Sequence, residues 1–174
     1  SVLIKRLPPV RGRLNANEPL GRFTWFKVGG PADVLFQPAD AEDLSAFLTS
    51  CPSDVPVMVL GNASNILVRD GGVRGVVIRL GRGFQKIRLD GEYVFAGGGA
   101  ADLSIARAAK NAGLAGLEFL AGIPGTIGGA VFMNAGAYGY ELKDALAYCC
   151  IIRRDGTVTN LAAAEMDFDY RCSS

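Results

Sequence analysis

Ala121-Gly-Ile-Pro-Gly-Thr-Ile-Gly-Gly-Ala-Val-Phe-Met-Asn-Ala-Gly-Ala137 carries glycine at 122, 125, 128, 129 and 136 and no charged residue. Glycines at this density let the backbone turn through positive φ and let a second molecule approach the main chain closely. Successive N–H groups can then form a concavity that accepts an anion without Lys or Arg. Pro124 restricts φ and suits a rigid turn better than a loose linker. A tight structural turn between two packed elements is the competing reading, because Gly and Pro are ordinary turn residues.

A second stretch, Leu60-Gly-Asn-Ala-Ser-Asn-Ile-Leu-Val68, follows the apolar run Val57-Met-Val-Leu60. A small polar loop therefore leaves the end of an expected buried strand. It too is uncharged, and Asn62, Ser64 and Asn65 can donate or accept hydrogen bonds. Two uncharged, donor-rich loops point to a pyrophosphate held by dipoles, not to a cation clamp. Neither fits the best-known nucleotide fingerprints: Gly122-x-x-Gly125-x-x-Gly128 lacks the Gly-x-Gly start of a Rossmann turn, and no Gly-Lys-Ser/Thr exists for a P-loop.

Four motifs occur in order: Leu-Gly-Asn-Ala-Ser-Asn from Leu60, Gly-Leu-Glu-Phe-Leu-Ala-Gly-Ile-Pro-Gly-Thr-Ile-Gly-Gly-Ala ending at Ala130, Met-Asn-Ala-Gly-Ala-Tyr-Gly from Met133, and Phe168-Asp-Tyr-Arg-Cys-Ser173. Together they make the chain similar, from about Asn17 onward, to the UDP-N-acetylenolpyruvoylglucosamine reductase family, flavoenzymes of bacterial cell-wall precursor synthesis. The resemblance implies an α+β, two-lobed FAD-binding fold of the vanillyl-alcohol oxidase type, with non-covalent FAD in the cleft between lobes. It implies NADPH as hydride donor and a UDP-sugar substrate, UDP-N-acetylglucosamine enolpyruvate, reduced to UDP-N-acetylmuramate.

Matched residue by residue, the resemblance implies cofactor contacts from Gly61, Asn62, Ala63, Ser64, Asn65 and Ile66 in the first loop. In the longer segment it implies Gly122, Ile123, Pro124, Gly125, Thr126, Gly128, Gly129, Asn134, Ala135 and Gly136. Backbone approach to the cofactor at Gly128-Gly129 is expected to leave no room for a Cβ. Asn134 either holds its own loop through side-chain bonds to the backbone or touches the flavin directly. Arg171 matches the catalytic arginine, and Tyr170 beside it is a substrate contact. A guanidinium suits that role because it stays charged and grips a carboxylate with two parallel donors. The family loop usually has glycine where this chain has Ala63; an alanine at positive φ is strained, so Ala63 is expected at negative φ. The family's proton-donating serine and second acidic catalytic residue belong to a C-terminal substrate domain that would follow Ser174, so the 174-residue chain alone is expected to be inactive.

Bulk properties narrow the alternatives. The chain is 49% hydrophobic with a net charge of +1, enough for a real core and no electrostatic reason for nucleic acid or an anionic membrane. Cys149 and Cys150 are adjacent, no Cys-x-x-Cys occurs and there is no histidine, so no metal site is expected and the cysteines read as small, reduced hydrophobes. The first ten residues are broken by charge and proline, unlike a signal peptide. A cytoplasmic protein without an obligate protein partner follows by default. Glu118 reads as a salt-bridged or exposed acid, with a perturbed acid as the alternative. Tyr138, Tyr140 and Tyr170 could line a substrate cleft or fill a core.

Residues 1–22 read as an N-terminal arm, 23–80 as a first α+β lobe and 81–174 as a second. The first lobe is expected to hold an extended segment over 23–30, a strand at 33–37, a helix capped by Asp40, and strands at 57–60 and 75–80. The second is expected to hold a hairpin around Asp90-Gly91, a helix capped by Asp102 and stopped by Gly113, and a strand pair around Asp155-Gly156. Two other functions compete: a non-catalytic FAD-binding module, and a flavin oxidase of the same fold. The absence of histidine excludes a histidyl flavin tether, and a cysteinyl one remains formally open.

Overall fold

A computed structural model describes residues 2–169. They form two compact units: residues up to Gly83 together with Ile152–Val158, and Phe84–Ile151 together with the residues from Thr159 on.

The first unit is built on β1 (Arg13–Pro19), β2 (Pro31–Gln37), α1 (Ala41–Ser50), β3 (Val57–Leu60) and β4 (Val73–Arg79). The sheet order is β1-β2-β4-β3, with β1 antiparallel to β2 and both β2 and β3 parallel to β4. Parallel strands covered on both faces read as continuous apolar runs. Val34-Leu35-Phe36 and Val76-Val77-Ile78 are such runs, and all six are buried. Phe36 meets Phe47 of α1 with ring centroids 4.3 Å apart. Leu35, its neighbour, points to the opposite face and packs with Leu60, Ala63, Val68 and Val77. The polar loop after β3 is thereby fastened to the sheet by its own apolar residues.

Two expectations for this unit change. Residues 13–19, read as part of an arm, form an edge strand whose Leu14 pairs with Phe36. Polar residues and Pro19 hide it from a periodicity reading, yet an edge strand tolerates both. The chain just before it is held by Asp43, whose carboxylate accepts from the N–H groups of Arg11 (2.8 Å), Gly12 (2.9 Å) and Ala39 (2.9 Å). Burial pushes the Asp43 carboxyl up, but these donors outweigh it and hold the group below its ordinary value. Residues 23–30, read as extended, instead form turns. Thr24 bonds back to the Leu20 carbonyl and its hydroxyl donates to the Val28 carbonyl at 2.7 Å, which leaves Trp25 and Phe26 exposed.

Asp40 caps α1 as expected, its Oδ1 accepting from the Asp43 N–H at 2.9 Å. The Asp155-Gly156 turn belongs to this unit as well. Ser45 of α1 donates to the Gly156 carbonyl at 2.6 Å, and Arg154 donates to the carbonyls of Pro52 and Val55.

The second unit holds the hairpin β5 (Ile87–Asp90) and β6 (Tyr93–Ala96), then α2 (Asp102–Asn111), α3 (Ile127–Phe132), the short pair β7 (Gly136–Ala137) and β8 (Tyr140–Glu141), and strands β9 (Tyr148–Ile152) and β10 (Val158–Ala162). The middle of the β9–β10 turn belongs to the first unit. In the β5–β6 hairpin Asp90 pairs with Tyr93, so Gly91 and Glu92 form the turn and Gly91 takes φ +57°. Gly113 stops α2 at φ +72°, with the Leu114 N–H reaching back to the Ala109 carbonyl at 3.0 Å. The core is Ala100, Ile105, Ala106, Phe119, Leu120, Ala130, Ala135 and Leu142.

Asp102 does not cap α2. Ala101 occupies the cap position and Asp102 is the first helical residue, 0% exposed, with neither carboxylate oxygen hydrogen-bonded. An N-cap side chain must stay at the surface to reach the N–H groups of the first turn; Asp102 is one position too far in and turns into the core. Among the described residues no helix is long and apolar enough to cross a membrane.

Candidate functional site

The loop after β3 alternates exposed and buried residues. Asn62 and Asn65 are exposed and Ser64 is half-buried, while Ala63 and Val68 beside them are buried. Ala63 takes φ +50°, contrary to the negative φ expected of an alanine. Its methyl is packed in the core cluster and its carbonyl accepts the Trp25 N–H at 3.3 Å, so packing on both sides holds the left-handed turn. Such a conformation costs roughly 1–2 kcal/mol for a residue with a Cβ. The alanine thus keeps the backbone shape that glycine would give.

In the second unit the glycine-rich segment contains a helix that the sequence reading missed. Gly128 and Gly129 are poor helix formers, but α3 is closed at its C-terminal end by a complete cap. Asn134 sits at φ +43°, its N–H donates to the Val131 carbonyl at 3.2 Å, and the Ala135 N–H reaches the Ala130 carbonyl at 2.9 Å. Asparagine is the usual alternative to glycine at this left-handed position. At the other end, Ile127 donates to the Ala100 carbonyl and Gly128 to the Gly98 carbonyl, both at 2.9 Å. Those two N–H groups are engaged inside the protein, so they do not belong to the anion-accepting concavity expected of this stretch.

Gly128 and Gly129 also differ from each other. A Cβ on Gly128 would lie 2.8 Å from the Gly98 carbonyl oxygen, so this glycine is required by packing within the unit, not by a cofactor. A Cβ on Gly129 would meet nothing closer than Thr126 Oγ1 at 3.9 Å, and Gly129 is exposed. Gly122 is exposed too, but its Cβ would strike the Tyr138 ring at 2.6 Å; Gly125 takes φ +138°. Ile123, Pro124 and Thr126 lead into α3, and Ala135 and Gly136 follow it, with Thr126 and Ala135 buried. In this unit, the exposed main chain at Gly122 and Gly129 is uncharged and open to solvent.

Asp102 is tied to this segment by its backbone N–H, which donates to the Gly125 carbonyl at 3.2 Å, and its carboxyl is fully buried. Burial pushes the carboxyl up to about 7. Asn134 is buried and its side chain joins Glu141, Lys143 and Asp169, an arrangement with no signature in the local sequence because Asp169 lies 35 residues further along the chain. Glu141 is held below its ordinary value first of all by its hydrogen bond to Lys143, 2.7 Å away.

Tyr170 and Arg171 lie outside the described residues. Glu118 is exposed and accepts from the Gly116 N–H at 2.8 Å, the bland one of its two readings. Tyr138 and Tyr140 are 82% and 60% exposed, which rules out a core role. Cys149 and Cys150 lie on β9, Cys149 half-buried against Met166 and Cys150 exposed. Among the described residues no group of His, Cys, Asp or Glu could hold a metal ion.

Residues 32–162 match the FAD binding domain family. The chain is 57% identical over 171 residues to the UDP-N-acetylenolpyruvoylglucosamine reductase of Parvibaculum lavamentivorans, a match that covers 98% of this chain and 55% of that protein. The crystal structure of the corresponding reductase from Thermus caldophilus superposes with a TM-score of 0.78 at 38% identity, over 95% of this chain and 57% of that one. The chain thus spans about half the length of these relatives. The 6-hydroxy-D-nicotine oxidase of Arthrobacter nicotinovorans superposes with a TM-score of 0.62 at 17% identity, over 90% of this chain and 37% of that one; at that identity the likeness is one of fold. The architecture is the α+β FAD-binding fold of the vanillyl-alcohol oxidase type.

Proposed function

Because this chain belongs to the FAD binding domain family, we propose that it is the flavin-holding part of an NADPH-dependent reductase that converts UDP-N-acetylglucosamine enolpyruvate to UDP-N-acetylmuramate for peptidoglycan synthesis in the cytoplasm. The observation that carries this reading is the 57% identity to a reductase so named, extending over 98% of the chain. Gly61, Asn62, Ser64, Asn65, Gly122 and Gly129 hold FAD non-covalently through neutral main-chain and amide groups, with Ala63, Gly125 and Gly128 setting the shape of the turns. FAD held there would supply the redox chemistry, the hydride coming from NADPH and ending on the enolpyruvyl double bond. Arg171 grips the substrate carboxylate and stabilises the negative charge that builds beside the alkene, with Tyr170 as a further substrate contact. The proton for the neighbouring carbon comes from the part of the relatives that this chain does not span.

The experiment is an anaerobic one on the full-length protein carrying this sequence. NADPH should bleach the flavin absorbance, and UDP-N-acetylglucosamine enolpyruvate should then restore it while UDP-N-acetylmuramate forms. Colour that returns only on admitting oxygen would favour the oxidase reading and sink this one.

A further inference from the structure

β3 and β4 run parallel and end together: Leu60, the last residue of β3, pairs with Arg79, the last residue of β4. The polar loop 61–66 leaves from that edge. Ligands of open parallel sheets gather outside the carboxyl ends of the strands, so Arg79 stands where a ligand of the first unit would arrive.

Paired residues put their side chains on one face of a sheet, and alternate residues of a strand share a face. Leu60 and Val77 both lie in the cluster that buries Ala63, so the Arg79 side chain leaves β4 on the face to which the loop is fastened. The guanidinium itself agrees with this. Its Cζ is 4.7 Å from the centroid of the Phe23 ring, and that ring packs against the same cluster.

The charge on Arg79 is not matched from within the unit. The residue is half-buried, its Nε is buried without a hydrogen-bond partner, and among the described residues no carboxylate pairs with it. The ion-paired arginines, Arg6, Arg11, Arg22, Arg74 and Arg88, have side chains at least 48% exposed. Cations that water already screens thus have partners, and Arg79, screened less, has none. The ring face offsets part of its charge but gives its five N–H groups no acceptor.

We propose that Arg79 completes a phosphate site at this edge of the sheet: the cation that the loop sequence lacks comes from the end of β4, and it meets a phosphate of the ligand held by Gly61–Asn65. This rests on the FAD reading above, in which that phosphate belongs to the cofactor's diphosphate. A guanidinium suits it because its planar fork meets two phosphate oxygens at once.

The test titrates the full-length apoprotein with FAD, following flavin fluorescence, with inorganic pyrophosphate as competitor. Arg79→Met keeps an unbranched apolar stem on Phe23 and removes the charge together with the orphaned Nε, and Arg79→Lys keeps the charge without the fork. Arg79→Met should raise the Kd for FAD at least about 10-fold, the scale of a lost charged hydrogen bond, and pyrophosphate should compete with FAD in the wild type but not in this variant. Arg79→Lys should recover part of both, and the melting temperature of the apoprotein should be no lower in Arg79→Met than in the wild type. Unchanged FAD affinity in Arg79→Met overturns the proposal. So does weakened FAD binding with pyrophosphate competition left intact, or a lowered apoprotein melting temperature with Lys no better than Met, which would mark a structural residue. Should the wild type bind pyrophosphate through Arg79 yet take up no FAD, the flavin reading falls and the phosphate site stands.

Discussion

Replacing Arg171 with alanine is expected to lower turnover of the full-length protein by about 10²–10³-fold, the loss seen when one preorganised donor aimed at developing charge is removed. Hydride addition to the enolpyruvyl group pushes electron density toward the carboxylate. A guanidinium there is charged at every working pH and meets both carboxylate oxygens at once. Arg171→Lys should recover only part of the rate, because an ammonium provides a point charge without the planar fork. Steady-state kinetics on the three proteins, each with its FAD content measured, would decide it. Equal rates for wild type and alanine would remove Arg171 from the chemistry, and loss of FAD from the alanine variant would assign it a structural role instead.

The second expectation concerns Asp102. Asp102→Asn should stabilise the protein by up to about 4 kcal/mol above pH 7, at 1.36 kcal/mol per pH unit of displacement, and by far less near pH 4. Burial raises the carboxyl from 3.8 to about 7, and no donor or cation offsets it. A group whose folded value lies above its unfolded value binds its proton more tightly in the folded chain. Its favourable contribution is complete below about pH 4, shrinks as pH rises, and is gone once pH passes about 7. The amide of asparagine stays neutral throughout, so the difference between the two proteins should grow from pH 4 to pH 7 and then level off. Denaturant midpoints of both proteins across that range measure it, and the comparison cancels every other titrating group. A constant difference would mean that Asp102 finds a partner in solution or does not ionise there.

What the sequence disclosed, and what it did not, follows from where each determinant lies. Asp40 as a cap, Gly91 in its hairpin and Gly113 at the end of α2 were legible because each acts within a few residues of itself. The apolar runs of β2 and β4 were legible because burial on both faces writes itself into composition. β1 was not, since its partner β2 supplies the ladder and its own residues are polar. α3 was hidden by glycines that disfavour helix on their own and are held by the carbonyls of Gly98 and Ala100 and by Asn134 at the far end. The positive φ of Ala63 needed knowledge of the cluster that buries its methyl. In the candidate site the motifs treated Gly128 and Gly129 alike. They did not separate Gly129, open to an approaching molecule, from Gly128, closed by its own neighbour.

FAD binding by this chain is most directly tested by titrating the purified protein with FAD, recording the bound flavin spectrum and then precipitating the protein with acid. Saturable binding is expected, with free FAD recovered in the supernatant and a colourless pellet. A folded protein that takes up no FAD at any concentration, or a pellet that keeps the colour, would contradict non-covalent FAD binding by this chain.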